Sequence, residues 1–135
     1  VDALGLQAQV VFHGRVGDAE MQAAMATSKI SVTVPASDAT SVAMLESMAC
    51  GLAVVASDLP ANRQWLADAP FVAPGDAQAL AQALAALAQD DARMRRLGEA
   101  NRARIERDGR RDAQMDRMAA LYRGLLARSR AGVQR

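Results

Sequence analysis

Cysteine and histidine are almost missing: Cys50 and His13 each stand alone. One cysteine excludes an internal disulfide framework and a cysteine-rich zinc site. One histidine leaves little for a histidine metal cluster. Aromatic residues are only 3% of the chain, too few for a base-stacking nucleic-acid platform, so no nucleic-acid partner is expected. Lysine is reduced to Lys29. No apolar run approaches the roughly 20 residues that span a bilayer. The opening Val1-Asp2-Ala3-Leu4-Gly5 has no basic stretch leading into an apolar one, so no signal peptide is read there. An initiating Met is also lacking, and the expectation is a piece of something longer, resident in the cytoplasm.

What is present is one domain's worth of globular chain. Its 135 residues are 51% hydrophobic and 23% charged, which is enough to bury a core and argues against disorder. The net charge of +1 hides an asymmetry. Residues 1–90 carry 3 basic and 9 acidic side chains, and residues 91–135 carry 13 and 6. A basic tail can serve phosphates or anionic lipid. The interspersed Asp91, Glu99, Glu106, Asp108, Asp112 and Asp116 favour a solvated helix face instead.

Short β-like runs alternate with helical ones through residue 76. Strands are predicted over 9–13, 29–34, 53–56 and 71–73, and helices over 19–27 and 41–50, with a helical turn at 62–66. Strand, helix and strand joined by short turns imply a parallel sheet. From 77 onward the pattern is helical. Asp76 and Asp90 or Asp91 are capping candidates. Leu80, Leu84 and Leu87 make one stripe. Met94, Leu97 and Ile105 are expected inside the next helix. Met115, Met118, Ala119, Tyr122, Leu125 and Leu126 make a third stripe, expected to pack on the α/β body. The single domain thus divides into an α/β part (1–76), a helical part (77–128) and a frayed tail (129–135). Cys50 is read as a buried helix-end residue, Trp65 and Leu66 as core contacts, and the seven methionines as core filler.

The stretch from Val34 to Gly51 carries the chemistry. A strand ends at Pro35, a loop of small polar residues follows, and a helix starts near Ser41. In an open parallel sheet this place lies beyond the carboxyl ends of the strands, where ligands bind. The free N–H groups of Thr40, Ser41 and Val42, with the helix dipole, suit a diphosphate. Glu46 can accept two hydrogen bonds from a ribose diol. Asp38 can accept from sugar hydroxyls over the helix start. The layout therefore suits a nucleotide-linked sugar. Plain helix capping by Ser37, Asp38 or Ser41, with Glu46 facing solvent, reads from the same spacing.

The ordered motifs add a resemblance. Val10-Val11-Phe12-His13-Gly14, Pro35-Ala36-Ser37, the pair Asp38 and Glu46 eight apart, Leu45-Glu46-Ser47-Met48-Ala49-Cys50-Gly51-Leu52-Ala53-Val54-Val55-Ala56, and Phe71-Val72-Ala73-Pro74-Gly75-Asp76 resemble the C-terminal, donor-binding part of GT-B glycosyltransferases of family 4, the retaining nucleotide-sugar transferases. The resemblance spans residues 6–126. It implies a partial doubly wound, Rossmann-like parallel sheet with a C-terminal helical segment. It implies that Glu46 holds the donor ribose and that Asp38 is the catalytic-site acid touching the transferred sugar. Backbone N–H groups of Ala39, Thr40, Ser41 and Val42 would bind sugar hydroxyls and phosphate, and the turn Gly14-Arg15-Val16 would meet the base. It implies no metal and no cofactor, a nucleotide diphosphate sugar as partner, an N-terminal acceptor domain outside this chain, and a peripheral membrane position or lipid-linked acceptor. Asp38 stands where Glu is commoner, and Ala39-Thr40-Ser41 replaces a glycine-rich loop. The basic pair that neutralises the diphosphate belongs to an earlier βα unit that this chain does not carry, and without the first two strands residues 9–13 lose their sheet neighbour. The expectation is a fragment inactive alone; a truncated, non-catalytic nucleotide- or partner-binding module is the alternative.

Overall fold

The computed structural model describes residues 1–133. After a single 3-10 turn at Asp2–Leu4, the elements run α1 (Asp18–Thr27), β1 (Ile30–Thr33), α2 (Val42–Ala49), β2 (Ala53–Ser57), α3 (Pro60–Trp65), β3 (Phe71–Val72), α4 (Ala77–Ala88), α5 (Asp91–Asp108) and α6 (Arg111–Val133). The three strands form one parallel sheet in the order β1-β2-β3, with Ile30 opposite Ala53 and Ala56 opposite Phe71. The fold is α/β, as its alternating elements imply.

β2 is the centre of the sheet, and all five of its residues are buried. Its sequence is apolar on both faces, as a doubly covered parallel strand must be. Ala53 and Val55 meet Val72, Leu87, Met94 and Leu97 under α4 and α5. Val54 and Ala56 meet Met44, Met48 and Leu66 under α2 and α3, with Trp65 and Ile105 partly buried at the margin.

The helices start where their side chains can satisfy free amides. Asp76 accepts from Ala79 N and Asp90 from Arg93 N, both at 2.8 Å. Ser41 Oγ accepts from Met44 N at 3.2 Å. Gly51 ends α2 with φ of +76°, a left-handed turn that suits only glycine without strain. Immediately beneath that turn runs α5. A Cβ on Gly98 would stand 2.1 Å from Gly51 O. One turn further, buried Asn101 donates to Leu52 O at 2.8 Å. Glycine at 98 thus lets α5 lie against the backbone that leads into β2.

Four expectations are corrected. Residues 9–13 form no strand, and Val11 and Phe12 are 72% and 80% exposed. A parallel strand exists only through its neighbour's hydrogen bonds; among the described residues β1 pairs with β2 alone, and residues 9–13 pair with no strand. The sheet therefore has three strands rather than four. Second, the stripe on α6 does not pack on the body: Met115, Met118, Tyr122, Leu125 and Leu126 are exposed. The core on both faces of β2 is closed by residues of α2 to α5, and no described residue of α6 belongs to either core cluster. Third, Cys50 is exposed, because it follows the last turn of α2 on the side away from the sheet. Fourth, only Met44, Met48 and Met94 of the seven methionines are buried. Helix α6 also continues to Val133 through most of the expected tail of 129–135, whose last two residues lie outside the described ones.

Candidate functional site

Two places gather the candidate residues. The first is the loop from Val34 to Thr40 and the start of α2. Ser57 Oγ, at the end of β2, donates to Pro35 O at 2.7 Å and ties the loop to the carboxyl end of the sheet. Asp38 and Ala39 are exposed on this loop. Thr40 Oγ1 donates to Ala39 O at 2.6 Å. Ser41 caps α2, so its hydroxyl is committed to Met44 N while its own carbonyl accepts from Leu45 N. The amides of Val42 and Ala43, in the first turn, have no intrahelical acceptor. Val42 is 68% exposed, so that helix end opens to solvent. Its partial positive charge is available to an anion.

The second place is a cleft of about 420 Å3 between α1 and α2. On α2, Glu46, Ala49 and Cys50 face it together, since they are three and four residues apart. Met44, Ser47 and Met48 occupy the opposite, buried face. The short side chains of Ala49 and Cys50 keep the floor low, so the Glu46 carboxylate is the reaching group. Asp18, Met21 and Met25 of α1 make the other wall, and Val16 closes one end. Cys50 Sγ lies 3.9 Å from Met25 Sδ, which links the two helices through soft, polarisable atoms. α1 itself buries no residue. Its start is held by Gly17 N donating to the Glu20 carboxylate at 2.9 Å.

The structure thus brings Glu46 and Val16 to one cleft, while Asp38 lines no part of it. Gly14, with φ of +64°, makes the turn ahead of Val16, and Arg15 is exposed there. No group of three or more His, Cys, Asp or Glu that could hold a metal occurs among the described residues. No described helix is long and apolar enough to cross a membrane.

Two features escaped the sequence reading. Asp58, just past β2, pairs with Arg63 of α3, whose Nη2 donates to Asp58 Oδ2 at 2.9 Å. That hydrogen bond holds the Asp58 carboxyl below the usual carboxylate range and raises Arg63. The other is a second cleft lined by Arg63, Arg96, Arg104 and Arg107 around Trp65. Arg96, Ala100, Arg104 and Arg107 recur at helical spacing along α5, a periodicity visible in the sequence.

Comparison with known proteins adds the following. Residues 1–104 match the family described as "Glycosyl transferases group 1". Over 91 residues the chain is 38% identical to a phosphatidyl-myo-inositol mannosyltransferase of Mycobacterium leprae (strain TN), covering 64% of this chain and 24% of that protein. The fold superposes on sucrose-phosphate synthase from Thermosynechococcus elongatus with a TM-score of 0.86 and 27% identity, over 93% of this chain and 32% of that one. The chain therefore spans about a quarter to a third of the length of these relatives.

Proposed function

The chain belongs to the glycosyl transferases group 1 family, and from that premise we propose that it is the donor-binding portion of a family 4 transferase that moves a sugar from a nucleotide diphosphate sugar with retention at the anomeric carbon. The observation that carries this reading is the shared cleft: Glu46 and Val16 border one space of about 420 Å3.

In this reading the nucleoside occupies the α1–α2 cleft. Both Glu46 carboxylate oxygens accept from the ribose hydroxyls, and the base lies against the turn Gly14-Arg15-Val16. The diphosphate then runs to the first turn of α2, where the amides of Val42 and Ala43 donate to it and the helix dipole favours its charge. The loop amides of Ala39, Thr40 and Ser41 complete the cradle. Asp38, on the loop beyond, accepts from the hydroxyls of the sugar being transferred. Asp38 does not line the Glu46 cleft, which agrees with this role, because sugar and ribose sit at opposite ends of a diphosphate. The exposed stripe of α6 meets the acceptor domain, which supplies the other substrate. Acceptor choice belongs to that domain, and a lipid-linked acceptor at the inner face of a membrane fits the named activity of the mannosyltransferase relative.

Isothermal calorimetry and ligand-observed NMR with UDP- and GDP-sugars test the assignment. A charge-assisted hydrogen bond contributes roughly 1.5–3 kcal/mol, and a helix end roughly 0.3–2 kcal/mol. Association costs at least about 4 kcal/mol. Binding by the chain alone is expected at about millimolar, to vanish in Glu46→Ala, and to lead to no sugar transfer. Micromolar binding that survives Glu46→Ala removes the site from this cleft. Sugar transfer by the 135 residues alone refutes the fragment reading.

A further inference from the structure

The arginine-lined cleft lies between α3 and α5, and it shares no lining residue with the α1–α2 cleft. It has a volume of about 490 Å3, within the range of small-molecule sites. Four arginines, Arg63, Arg96, Arg104 and Arg107, line it against one acid, Asp68.

Three of their guanidiniums, those of Arg63, Arg104 and Arg107, are held from behind. Arg104 Nη2 donates to Gln64 O at 3.0 Å, its Nε lies 3.1 Å from Asp108 Oδ2, and its guanidinium sits 5.7 Å from the Trp65 ring centre. Arg107 Nε donates to the same Asp108 oxygen at 2.9 Å. Arg63 is held by Asp58 and lies over the Phe71 ring, 4.7 Å from its centre. Asp58 and Asp108 thus brace the forks. Even with both counted, the cleft remains net positive. The Nη groups of Arg107 and the whole guanidinium of Arg96 donate to no acceptor among the described residues. The braced fork of Arg107 loses little freedom on binding, and the planar geometry of both Arg107 and Arg96 matches phosphate oxygens in pairs. Trp65 adds a half-buried apolar wall.

We propose that this cleft is a recognition site for a phosphate-bearing anion, distinct from the donor cleft. The volume suits a small phosphate compound or a single lipid headgroup rather than a nucleic-acid strand. Arg96 and Arg107 supply the free donors. Arg63 and Arg104 supply a fixed positive rim, and Trp65 covers the less polar part of the ligand.

Trp65 is the single tryptophan of the chain and lines this cleft, so its fluorescence and its indole N–H resonance carry no signal from another tryptophan. The full chain is titrated with inorganic pyrophosphate, then with phosphatidylcholine vesicles with and without phosphatidylglycerol. A saturable change in the Trp65 signal is expected. It should weaken by about tenfold or more in the double variant Arg96→Gln/Arg107→Gln, which removes the charge-assisted forks. Both side chains are exposed, and circular dichroism checks that the variant keeps its fold. A response to pyrophosphate identifies a soluble phosphate compound, and a response confined to phosphatidylglycerol vesicles identifies a lipid headgroup. No saturable change with any of these probes overturns the proposal, and so does an equal response in the double variant.

Discussion

Replacing Gly98 by Ala puts a methyl group where α5 touches the turn after α2. The added Cβ would lie 2.1 Å from Gly51 O and 3.0 Å from Gly51 C, both of them backbone atoms that cannot rotate away. Ordinary contact is near 3.4 Å, so α5 must retreat by more than about 1 Å. Such a retreat stretches the 2.8 Å bond from Asn101 to Leu52 O beyond hydrogen-bonding range. Overpacking of this kind costs about 1–3 kcal/mol. The lost hydrogen bond adds about 0.5–1.5 kcal/mol. Alanine's better helix propensity returns up to about 1 kcal/mol. The net expectation is a destabilisation of about 0.5–4.5 kcal/mol. Urea unfolding followed by circular dichroism and Trp65 fluorescence measures it, as a lower midpoint at unchanged slope. Gly124→Ala is the matched control. A Cβ there meets nothing within 4 Å, so only the propensity gain remains. If Gly98→Ala proves as stable as the parent, the close approach of α5 to Gly51 is wrong.

Asn101→Leu keeps the volume but leaves the buried Leu52 carbonyl without its donor, and should lower stability by about 1–3 kcal/mol in the same unfolding assay; an unchanged midpoint would mean that the carbonyl finds another partner. Because Asp58 has a folded-state pKa below its ordinary 3.8, its pairing with Arg63 stabilises the fold above that value and is lost as pH falls through the lowered pKa. Thermal melts of Asp58→Asn and the parent should therefore differ at neutral pH and converge in strong acid; a gap that persists in strong acid contradicts this. Exposed Cys50 should react with a disulfide-exchange reagent in the native state as fast as in denaturant, apart from the slowing that Met25 imposes, and a thiol that reacts only after unfolding would restore the buried reading.

The parts of the fold that were legible in the sequence are those whose cause is local. Asp76, Asp90 and Ser41 announce helix starts because the cap and the amide it satisfies are three residues apart. Ala53 to Ser57 announces a doubly covered strand because both faces of the run are free of charge. Gln9 to His13 has the same local pattern and fails, since pairing depends on a neighbour that no local pattern can supply. The stripe from Met115 to Leu126 correctly predicts a helix and wrongly predicts its cover, because periodicity shows which face seeks burial and not what lies opposite. At the candidate site, the eight-residue spacing of Asp38 and Glu46 was legible in the sequence, whereas the cleft that Glu46 shares with Val16, a neighbour remote in sequence, was not.

The unpaired side of β1 has a consequence for handling the chain in solution. Ile30-Ser31-Val32-Thr33 contains no charge and no proline, and Val32 and Val34 are exposed. An edge of that kind is a template for intermolecular β-pairing, which natural sheets suppress with edge charges, bulges or short strands. Here the strand is only four residues long, and Lys29 is the single charge adjoining it. The segment Val10-Val11-Phe12 offers a second apolar, β-prone run in the open. Aggregation of the isolated chain should therefore begin at β1 and at Val10–Phe12, and charged substitutions at Val11 or Val32 should raise its soluble concentration without touching the core around β2.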